Sequence, residues 1–422
     1  MNVCVFGCWH LGTVTAAGLA SLGHTVIGLD RDEAVVAGLN DCAPPLEEPG
    51  LADTLAAGRR SGLLSFTTSP ATALEAAAVL WVAIDTPVDE DDSADPASVI
   101  GDVLDMLPAA RPGTTVLVSS QLPVGSTAEL ERRAERSDLT FGYSPENLRL
   151  GHGLSSFLHP DRIVVGVRQP AAREVLTALL TTISDQLEWV SVESAELAKH
   201  ALNAYLATSI AFTNEIASIA EVVGASAHDV ERVLRSEPRV GRRAYVSPGA
   251  AFAGGTLARD VRYLEELGGE HDRQVPILDA VMTSNDLHRA WPLRVLEEEL
   301  GPLPGRRITV LGLTYTPGTS TLRRSAAVEL LYALVEREAT VRAHDPAAEP
   351  LPSSLSAVDR RQSAADALAD ADAVVILTGW PEYRALASPC FAARVVVDPE
   401  GLLRDQLGDD PDVRYRAVGE PR

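Results

Sequence analysis

Lysine is almost absent from this sequence. Of its 36 basic residues only Lys199 is a lysine, and the rest are arginines. Arginine stays protonated and presents a planar fork, whereas lysine carries a compact ammonium whose pKa can shift. A lone helical lysine is most simply a solvated surface charge. Because lysine is so rare here, we expect it where arginine cannot replace it, and Lys199 becomes the first candidate for a catalytic residue.

Other scarcities exclude whole classes of protein. A formal net charge of −23 disfavours nucleic acid and anionic membrane surfaces as partners. The longest apolar run, from Ala76 to Ile84, is too short to span a bilayer. No basic segment precedes an apolar stretch at the N-terminus, so we expect no signal peptide and a cytoplasmic location. The four cysteines show neither metal-ligand nor disulfide spacing, and no metal site is predicted: Cys4, Cys8, Cys42, Cys390.

The N-terminal stretch has the order typical of a dinucleotide-binding unit. A strand from Asn2 to Phe6 leads through a glycine turn into a helix from Val14 to Leu22, and a second strand ends at Asp30. Such a turn lets a helix N-terminus face a pyrophosphate, while the acid accepts hydrogen bonds from ribose. Asp30 favours NAD over NADP, although Arg31 argues against that preference. The predicted NAD contacts of this region are Gly7, Trp9, His10, Leu11, Gly12, Asp30, Arg31 and Thr86.

The glycine motif is incomplete. Its middle glycine, which lets the backbone approach the pyrophosphate, is replaced by Trp9. One interpretation is a doubly wound domain that binds NAD poorly or not at all. The other is that Trp9 covers the bound cofactor and slows its exchange.

Alternating strands and helices continue along the chain and predict an α/β protein. We expect two Rossmann-like doubly wound domains joined by a long central helix and a small helical domain, with boundaries at 1–190, 191–300 and 301–422. The strand from Arg162 to Val167 is predicted to close the first domain, and the tail after Asp405 to be irregular. The predicted strands of the last domain are Arg307–Leu313, Thr340–His344, Ala373–Leu377 and Arg394–Asp398.

Two segments of the middle region carry candidate chemistry. Apolar residues at helical spacing from Leu197 to Val223, stopped by Gly224, predict the central helix, with Lys199 and Asn203 one turn apart. From Val240 to Ala258 the chain is rich in glycine and small residues, which favours a loop that approaches a ligand closely. Helices are predicted from Asp260 to about Glu299.

A series of motifs resembles the nucleotide-sugar dehydrogenase family, typified by UDP-glucose 6-dehydrogenase and GDP-mannose dehydrogenase. The resemblance covers nearly the whole chain, and it rests on these segments in order: Glu48–Leu51, Leu122–Gly125, Ser144–Glu146, His159–Arg162, Lys199–Glu215, Arg239–Gly241, Pro248–Asp260, Gly312–Ser325, Asp345–Pro346 and Trp380–Tyr383. It implies NAD as cofactor, a nucleoside or nucleotide sugar as substrate, and a homodimer whose core is the central helix.

The resemblance also implies a chemistry that this sequence lacks in part. The family oxidises a sugar alcohol twice, and a cysteine of the glycine-rich loop holds the aldehyde for the second hydride transfer. Thr256 stands at that cysteine position. Further departures are Gln121 before the Pro-Val-Gly turn, Leu150 after Ser-Pro-Glu, Thr316 in the C-terminal turn, and Ala258-Arg259.

Other family positions are retained. By resemblance, Lys199, Asn203 and Asp260 stabilise developing charge, Glu146 is a base, and Arg239 reaches the nucleotide of a neighbouring subunit. Asp260 alone could equally cap a helix. The full predicted catalytic set is Lys199, Asn203, Asp260, Glu146, Thr256 and Gln121. The predicted substrate contacts are Glu146, Leu148, Leu150, Arg239, Phe252, Gly254 and Thr316, and Arg323 completes the predicted cofactor contacts.

Three hypotheses follow for function. The first is an NAD-dependent enzyme that acts on a sugar carbinol without the second oxidation, either stopping at the carbonyl or completing a redox-neutral loss of water. The second is a UDP-glucose 6-dehydrogenase type of enzyme with an altered mechanism. The third is a non-catalytic binding subunit built on the same fold.

Overall fold

The chain folds into two compact units. The computed structural model describes residues 1–422 except 47, 87–94, 147, 149–150, 254, 392–393 and 422. The units are Met1–Ala201 and Leu202–Arg422. The three predicted domain ranges stay a prediction beside this division.

An eight-stranded sheet forms the centre of the first unit, in the order β3-β2-β1-β4-β5-β6-β7-β8. Its pairs are parallel except β6 with β7. Strands such as Val79–Val82 are buried along their whole length, as expected when helices cover both faces. The strands are β1 (Asn2–Phe6), β2 (Thr25–Leu29), β3 (Leu64–Thr67), β4 (Val79–Val82), β5 (Thr115–Val118), β6 (Thr140–Tyr143), β7 (Ile163–Val167) and β8 (Leu187–Val190).

The sheet does not end where the sequence predicted. Arg162–Val167 corresponds to β7, but β8 pairs with it and forms the edge. The sequence pattern hid this strand because it is short and half-exposed, with Glu188 pointing away from the core. A cation–π contact stabilises this half-exposed strand, since the Arg173 guanidinium lies 4.8 Å from the ring centroid of Trp189.

Helices surround the first sheet. Pro70, Pro96 and Pro170 each occupy a first helical position, where the missing N–H costs nothing. The helices are α1 (His10–Ser21), α2 (Glu33–Asn40), α3 (Leu51–Arg60), α4 (Pro70–Leu74), α5 (Pro96–Met106), α6 (Ser126–Ala134), α7 (Gly153–Leu158) and α8 (Pro170–Leu180), with a 3₁₀ turn at Leu107–Ala109.

The predicted central helix is present as α9 (Val192–Val223), and Gly224 ends it with a φ of 77°. Buried polar side chains fix its first turns: Glu196 accepts hydrogen bonds from the N–H groups of Gly125 (2.7 Å) and Thr127 (2.9 Å). His200 Nε2 lies 3.2 Å from the carbonyl oxygen of Leu122. By length and composition alone α9 could cross a membrane, a test that core helices of soluble proteins also pass.

The helical part of the second unit follows α9. The predicted helical stretch is divided into α11 (Thr256–Glu270), α12 (Pro276–Arg289) and α13 (Trp291–Leu300), preceded by α10 (Ala227–Ser236). The glycine-rich loop is shorter than predicted, because α11 starts at Thr256 and includes Ala258. Pro276 interrupts the helical pattern by opening α12.

A six-stranded sheet completes the second unit, in the order β11-β10-β9-β12-β13-β14 with all pairs parallel. The tail predicted as irregular contributes its edge strand, which the charged pattern Arg-Tyr-Arg concealed. The elements are β9 (Arg307–Leu311), α14 (Ala326–Glu336), β10 (Thr340–His344), β11 (Asp359–Arg360), α15 (Ala364–Leu368), β12 (Ala373–Ile376), α16 (Pro381–Arg384), β13 (Val395–Val397), α17 (Arg404–Leu407) and β14 (Arg414–Arg416), with 3₁₀ turns at Ser353–Leu355 and Ser388–Phe391. Two doubly wound sheets with a long connecting helix confirm the predicted fold class.

Candidate active site

The turn after β1 brings two backbone segments into close approach. Gly7 has a φ of +91°, and a Cβ there would lie 2.8 Å from the Cα of Ile84. A Cβ on Gly12 would lie 1.7 Å from the carbonyl oxygen of Gly7. Only glycine fits at either position. Within the described chain no side chain caps α1, so its first N–H groups remain available to a ligand.

Asp30 lies against the same turn at the end of β2. Its carboxylate accepts a hydrogen bond from the Cys8 N–H (2.6 Å) and another from the Asp32 N–H (3.0 Å). Cys8 itself is buried, and burial together with Asp30 and Cys4 raises the pKa of its thiol. Cys8 is therefore a packing residue and not a replacement nucleophile.

Trp9 and Leu11 differ in their surroundings. Trp9 precedes α1 and is 49% exposed, so its ring is free to contact a ligand at this edge. Leu11 packs against the hydrophobic core of the first unit. The predicted contacts of both with NAD stay predictions.

His10 is tied to a buried carboxylate. Its Nε2 lies 2.7 Å from Glu48, which also accepts N–H bonds from Gly151 (2.8 Å) and Gly153 (3.0 Å). Burial opposes the charge of Glu48, but the hydrogen bonds from His10 and the two glycines outweigh it, so its pKa is lowered. This arrangement orients His10 at the start of α1.

Two further predicted cofactor contacts are held by neighbours. The Arg31 guanidinium pairs with Asp102 (2.7 Å) and Asp105 (2.9 Å), both on α5. The hydroxyl of Thr86 donates to the carbonyl oxygen of Gln121 (2.6 Å), which places these two residues together beyond β4 and β5.

The residues at this edge fit NAD. Two glycines leave the space that a Cβ would fill, the helix start is uncapped, and an acid lies at the end of the second strand. These are the features that hold the pyrophosphate and ribose of a dinucleotide in this type of sheet.

Lys199 is half-buried in the first unit. Glu196 and His200 anchor its helical turn, and its Nζ donates to the backbone carbonyl oxygen of Glu146 at 2.7 Å. The structure thus brings together two predicted catalytic residues, Lys199 and Glu146. The contact is with the main-chain carbonyl of Glu146.

One helical turn further along α9, Asn203 donates a hydrogen bond to Asp260, and both are buried. Asp260 lies inside α11 rather than at its cap, which excludes the simple capping role. Thr256 is the first residue of α11 and is exposed; among the described residues no side chain caps this helix. A group at position 256 therefore meets the positive end of a helix dipole.

Sequence reasoning missed the side chains that shape the glycine-rich loop. Asn285 clamps Phe252 by accepting from its N–H and donating to its carbonyl oxygen, both at 2.9 Å. Asn214 accepts from the Gly249 N–H (3.1 Å), and His288 Nε2 lies 2.9 Å from the Gly249 carbonyl oxygen. All three side chains are buried. Polar residues at core-facing helical positions were the available signal, since such groups need buried partners.

The sequence also did not predict that Tyr315 and Arg324 lie near the glycine-rich loop. A Cβ on Gly255 would lie 3.4 Å from Nη1 of Arg324 and 3.8 Å from the Tyr315 hydroxyl, so both reach the residue before Thr256. Arg324 has a φ of 62°, a strained backbone for a residue with a side chain. Nothing in the sequence marks that conformation.

The remaining predicted contacts are more scattered. Arg239 is exposed and pairs with Glu237 at 2.8 Å, while Leu148 packs against the first core. Thr316 and Arg323 lie in the loop between β9 and α14, where Thr316 accepts from Thr319. Leu150 and Gly254 lie outside the described residues. The predicted roles of these positions stay predictions.

The second sheet has a turn of similar form at the end of β9. Gly312 has a φ of +84°, and Asp345 follows β10 as Asp30 follows β2. Asp345, however, accepts hydrogen bonds from its own loops: the donors are the N–H groups of Leu313, Thr314, Ala347 and Ala348, the Thr314 hydroxyl and the Trp380 indole. Ser325 caps α14.

The described second unit offers no cysteine to act at the start of α11. Its free cysteine, Cys390, packs against the hydrophobic cluster of the C-terminal sheet, whereas Ala258 and Val261 of α11 belong to another cluster. In the described part of the chain, no group of three or more histidine, cysteine, aspartate or glutamate residues could hold a metal ion.

Comparison with known proteins identifies the family. Models of the UDP-glucose/GDP-mannose dehydrogenase family match over three ranges: the NAD binding domain at 1–184, the central domain at 193–287 and the UDP binding domain at 309–405. The chain is 32% identical to a UDP-glucose 6-dehydrogenase of Rhizobium meliloti, covering 100% of both chains. It is 31% identical to that of Pseudomonas aeruginosa, covering 100% of this chain and 98% of the other.

A solved structure agrees with this assignment. The UDP-glucose dehydrogenase of Pyrobaculum islandicum has a TM-score of 0.84 at 31% identity, covering 99% of this chain and 97% of that one. The predicted family and the predicted cofactor are confirmed. The chain belongs to the UDP-glucose/GDP-mannose dehydrogenase family and is an NAD-dependent enzyme.

Proposed function

We propose that this enzyme acts on a carbinol of a nucleotide sugar or nucleoside and performs only the first of the two oxidations typical of its family. The observation that carries the proposal is Thr256, which opens α11 and which, by the resemblance of the motifs, stands at the family's cysteine position. The retained family positions support it, because Lys199 in the first unit and Asn203 and Asp260 in the second are each held by specific hydrogen bonds.

The first oxidation needs a place for a hydride and a path for a proton. Bound NAD supplies reversible hydride transfer. The glycine turn at Gly7 and Gly12 and the carboxylate of Asp30 hold it. Lys199, fixed by its bond to Glu146, is positioned to exchange the carbinol proton, and the side chain of Glu146 is a second base.

The second oxidation needs a covalent adduct. A thiol with an ordinary pKa of about 8.5 ionises readily at a helix N-terminus and adds to an aldehyde. A threonine hydroxyl ionises far less readily and requires a strong neighbouring base. With Thr256 at this position, the carbonyl product does not become a thioester, and it is either released or processed further.

Further processing gives the redox-neutral form of the proposal. A new carbonyl acidifies the adjacent C–H bond, and Lys199 or Glu146 removes that proton. A hydroxyl on the next carbon leaves as water once it is protonated. Return of the hydride to the unsaturated product would leave no net NADH, so the overall reaction would be the loss of one water.

The second candidate is a UDP-glucose 6-dehydrogenase with an altered mechanism. Full-length identity of 32% to an enzyme of that name favours it. It requires water, rather than sulfur, to attack the aldehyde. The third hypothesis, a non-catalytic binding subunit, is not pursued, because the chain belongs to a family of NAD-dependent enzymes.

One experiment separates these possibilities. Purified protein is incubated with NAD and UDP-glucose, then with other nucleotide sugars and nucleosides, while NADH and product mass are followed together. The proposal predicts at most one NADH per product, or water loss with none. Two NADH per carboxylate product would establish the second candidate. No turnover with any of these compounds, while NADH binds, would contradict both candidates.

Lys199→Arg tests the proton-transfer role directly. Arginine keeps the charge but stays protonated, and its fork cannot reproduce a single ammonium aimed at the Glu146 carbonyl. We expect turnover to fall by roughly 100-fold, the usual contribution of one acid–base group. Thermal unfolding and NADH binding should be unchanged. A variant with full activity would refute this role.

We also propose a homodimer that uses α9. Tyr205, Phe212 and Ile219 recur every seven residues and are 65%, 50% and 56% exposed, so they place large apolar side chains along one face of α9. Phe212→Glu should convert a dimer into monomers in sedimentation analysis, whereas Tyr332→Glu, an exposed aromatic on α14, should not. A monomeric parent protein would contradict the proposal.

A cytoplasmic location without membrane or nucleic-acid partners accords with the net charge of −23.

A further inference from the structure

Arg31 lies at the position that decides between NAD and NADP. It follows Asp30, which ends β2 beside the dinucleotide turn. In sheets of this kind an acid there binds the adenosine 2′-hydroxyl of NAD, and a nearby arginine accommodates the 2′-phosphate of NADP. This chain carries both residues side by side, so the sequence alone gives conflicting signals.

The structure shows where the Arg31 charge goes. Nη1 lies 2.7 Å from the Asp102 carboxylate, and Nη2 lies 2.9 Å from the Asp105 carboxylate. The two aspartates are three residues apart on α5 and therefore face the same side. Both ends of the guanidinium fork are directed at carboxylates of another element.

We propose that Asp102 and Asp105 are specificity residues that withhold Arg31 from a 2′-phosphate and so exclude NADP. Two carboxylates pair with the guanidinium, and Asp30 adds a third negative charge at the preceding residue, so the local charge is negative. A 2′-phosphate would have to displace two ion pairs and approach Asp30 as well. The neutral 2′-hydroxyl of NAD carries no such penalty and can donate to Asp30.

A purely structural role predicts something different. Arg31 is 49% exposed and Asp105 is 68% exposed, and surface ion pairs of this kind stabilise a fold by about 0–1 kcal/mol. Removing them would then leave cofactor preference unchanged. The specificity role instead predicts that cofactor preference shifts toward NADPH when the two aspartates are replaced, provided that Arg31 is present.

The test measures binding of NADH and NADPH to the purified full-length protein by fluorescence titration, so it does not depend on turnover. Asp102→Asn with Asp105→Asn should lower the ratio of the NADPH to the NADH dissociation constant at least tenfold. Adding Arg31→Ala to this pair should remove the gain. Raising the ionic strength should also reduce it, because the released charge is exposed.

A matched control removes two other carboxylates that pair with arginines in the same unit. Glu129→Gln with Asp138→Asn changes the net charge equally, through the partners Arg132 and Arg136, and should leave the ratio within twofold. An unchanged ratio in the Asp102/Asp105 variant, with NADH binding intact, would overturn the proposal. So would an equal gain in the control or in the variant that also lacks Arg31. If the double variant does not fold, Asp105→Asn alone should give a smaller fall, and no fall would count against the proposal.

Discussion

The two sheets of this protein have the same strand order around β1 and β9. They differ in the hydrogen bonds made by the polar groups at the carboxyl ends of these strands. In the first unit the order is β2-β1-β4, and the helix α1 that follows β1 has no side-chain cap. Asp30 lies against the turn between β1 and α1. In the second unit β10-β9-β12 is the corresponding order, but Asp345 accepts hydrogen bonds from the loops that follow β9, β10 and β12. Its helix α14 begins only at Ala326, capped by Ser325.

The difference lies in what the polar groups bind. The first unit leaves backbone donors at α1 for a ligand, whereas the second satisfies the corresponding groups with its own side chains. Capping and carboxylate saturation stabilise a fold but remove a dinucleotide site. Strand order alone therefore does not identify a cofactor domain. What identifies it is whether the first helix is capped and whether the acid after the second strand is already saturated with hydrogen bonds.

The largest effect is expected at the glycines of the two turns. Gly12→Val would force a side chain into the carbonyl oxygen of Gly7, and Gly312→Val would force one into Thr378, whose N lies 2.5 Å from the Cβ position. We expect Gly12→Val to abolish NADH binding, measured by fluorescence titration. Gly312→Val should lower the free energy of unfolding while the first unit keeps its NADH site.

Gly101→Ala is the matched control, since nothing lies within 4 Å of its Cβ position. A helical glycine replaced by alanine should stabilise the protein by about 0.5–1 kcal/mol. Normal NADH binding by the Gly12 variant would contradict the assignment of the first turn.

Exchanging each acid for its amide sharpens the comparison. Asp345→Asn replaces a buried carboxylate that accepts several N–H bonds, and charge-assisted bonds contribute about 1.5–3 kcal/mol each. We expect the free energy of unfolding to fall by about 3 kcal/mol with little change in NADH affinity. Asp30→Asn should do the reverse, weakening NADH binding at least tenfold. Chemical denaturation and titration of the two variants would decide the matter.

The pH dependence of stability should follow Asp345. Burial opposes its charge, but the N–H groups of Ala347, Thr314 and Leu313 and the Trp380 indole outweigh it, so its pKa is lowered. A carboxyl whose pKa is lower in the folded state stabilises the fold fully above its unfolded pKa of about 4. That contribution is lost as the pH falls through the folded value. The difference between the parent protein and Asp345→Asn should therefore shrink below about pH 4, and a difference that grows in acid would contradict it.

The smallest effect is expected at the second helix start. Ser325 accepts from the N–H groups of Ala327 (3.1 Å) and Val328 (3.4 Å). Ser325→Ala should lower the free energy of unfolding by about 2 kcal/mol, because it removes the cap and the hydrogen bond that the buried hydroxyl donates to the Leu313 carbonyl oxygen (2.6 Å). NADH affinity should not change, and a large loss of affinity would mean that the two sheets are not functionally distinct.

The sequence predicted the fold class and most elements because their signals are local. Long buried strands, the glycine turn at Gly7 and the periodicity of α9 each follow from neighbours in the chain. The short edge strands β8 and β14 were missed because charged residues alternate with apolar ones at half-exposed positions. Helix α11 also starts earlier than the glycine content suggested.

The candidate site was predictable only in part. Lys199 stood out by its rarity, and the carbonyl oxygen that it contacts belongs to Glu146, 53 residues earlier in the chain. The Asn285 clamp on Phe252, the approach of Arg324 to Gly255 and the pairing of Arg31 with α5 are products of tertiary structure. No local pattern specifies such contacts, because each depends on elements far apart in sequence.

The most direct test of the central claim compares the parent protein with Thr256→Cys. Both are supplied with excess NAD and the same nucleotide sugar, and carboxylate product and NADH are quantified. The account predicts that the parent releases no carboxylate and at most one NADH per product. The variant should gain carboxylate and a second NADH, because a thiol at the start of α11 can hold the aldehyde. Carboxylate formation by the parent protein with two NADH per product would contradict the account.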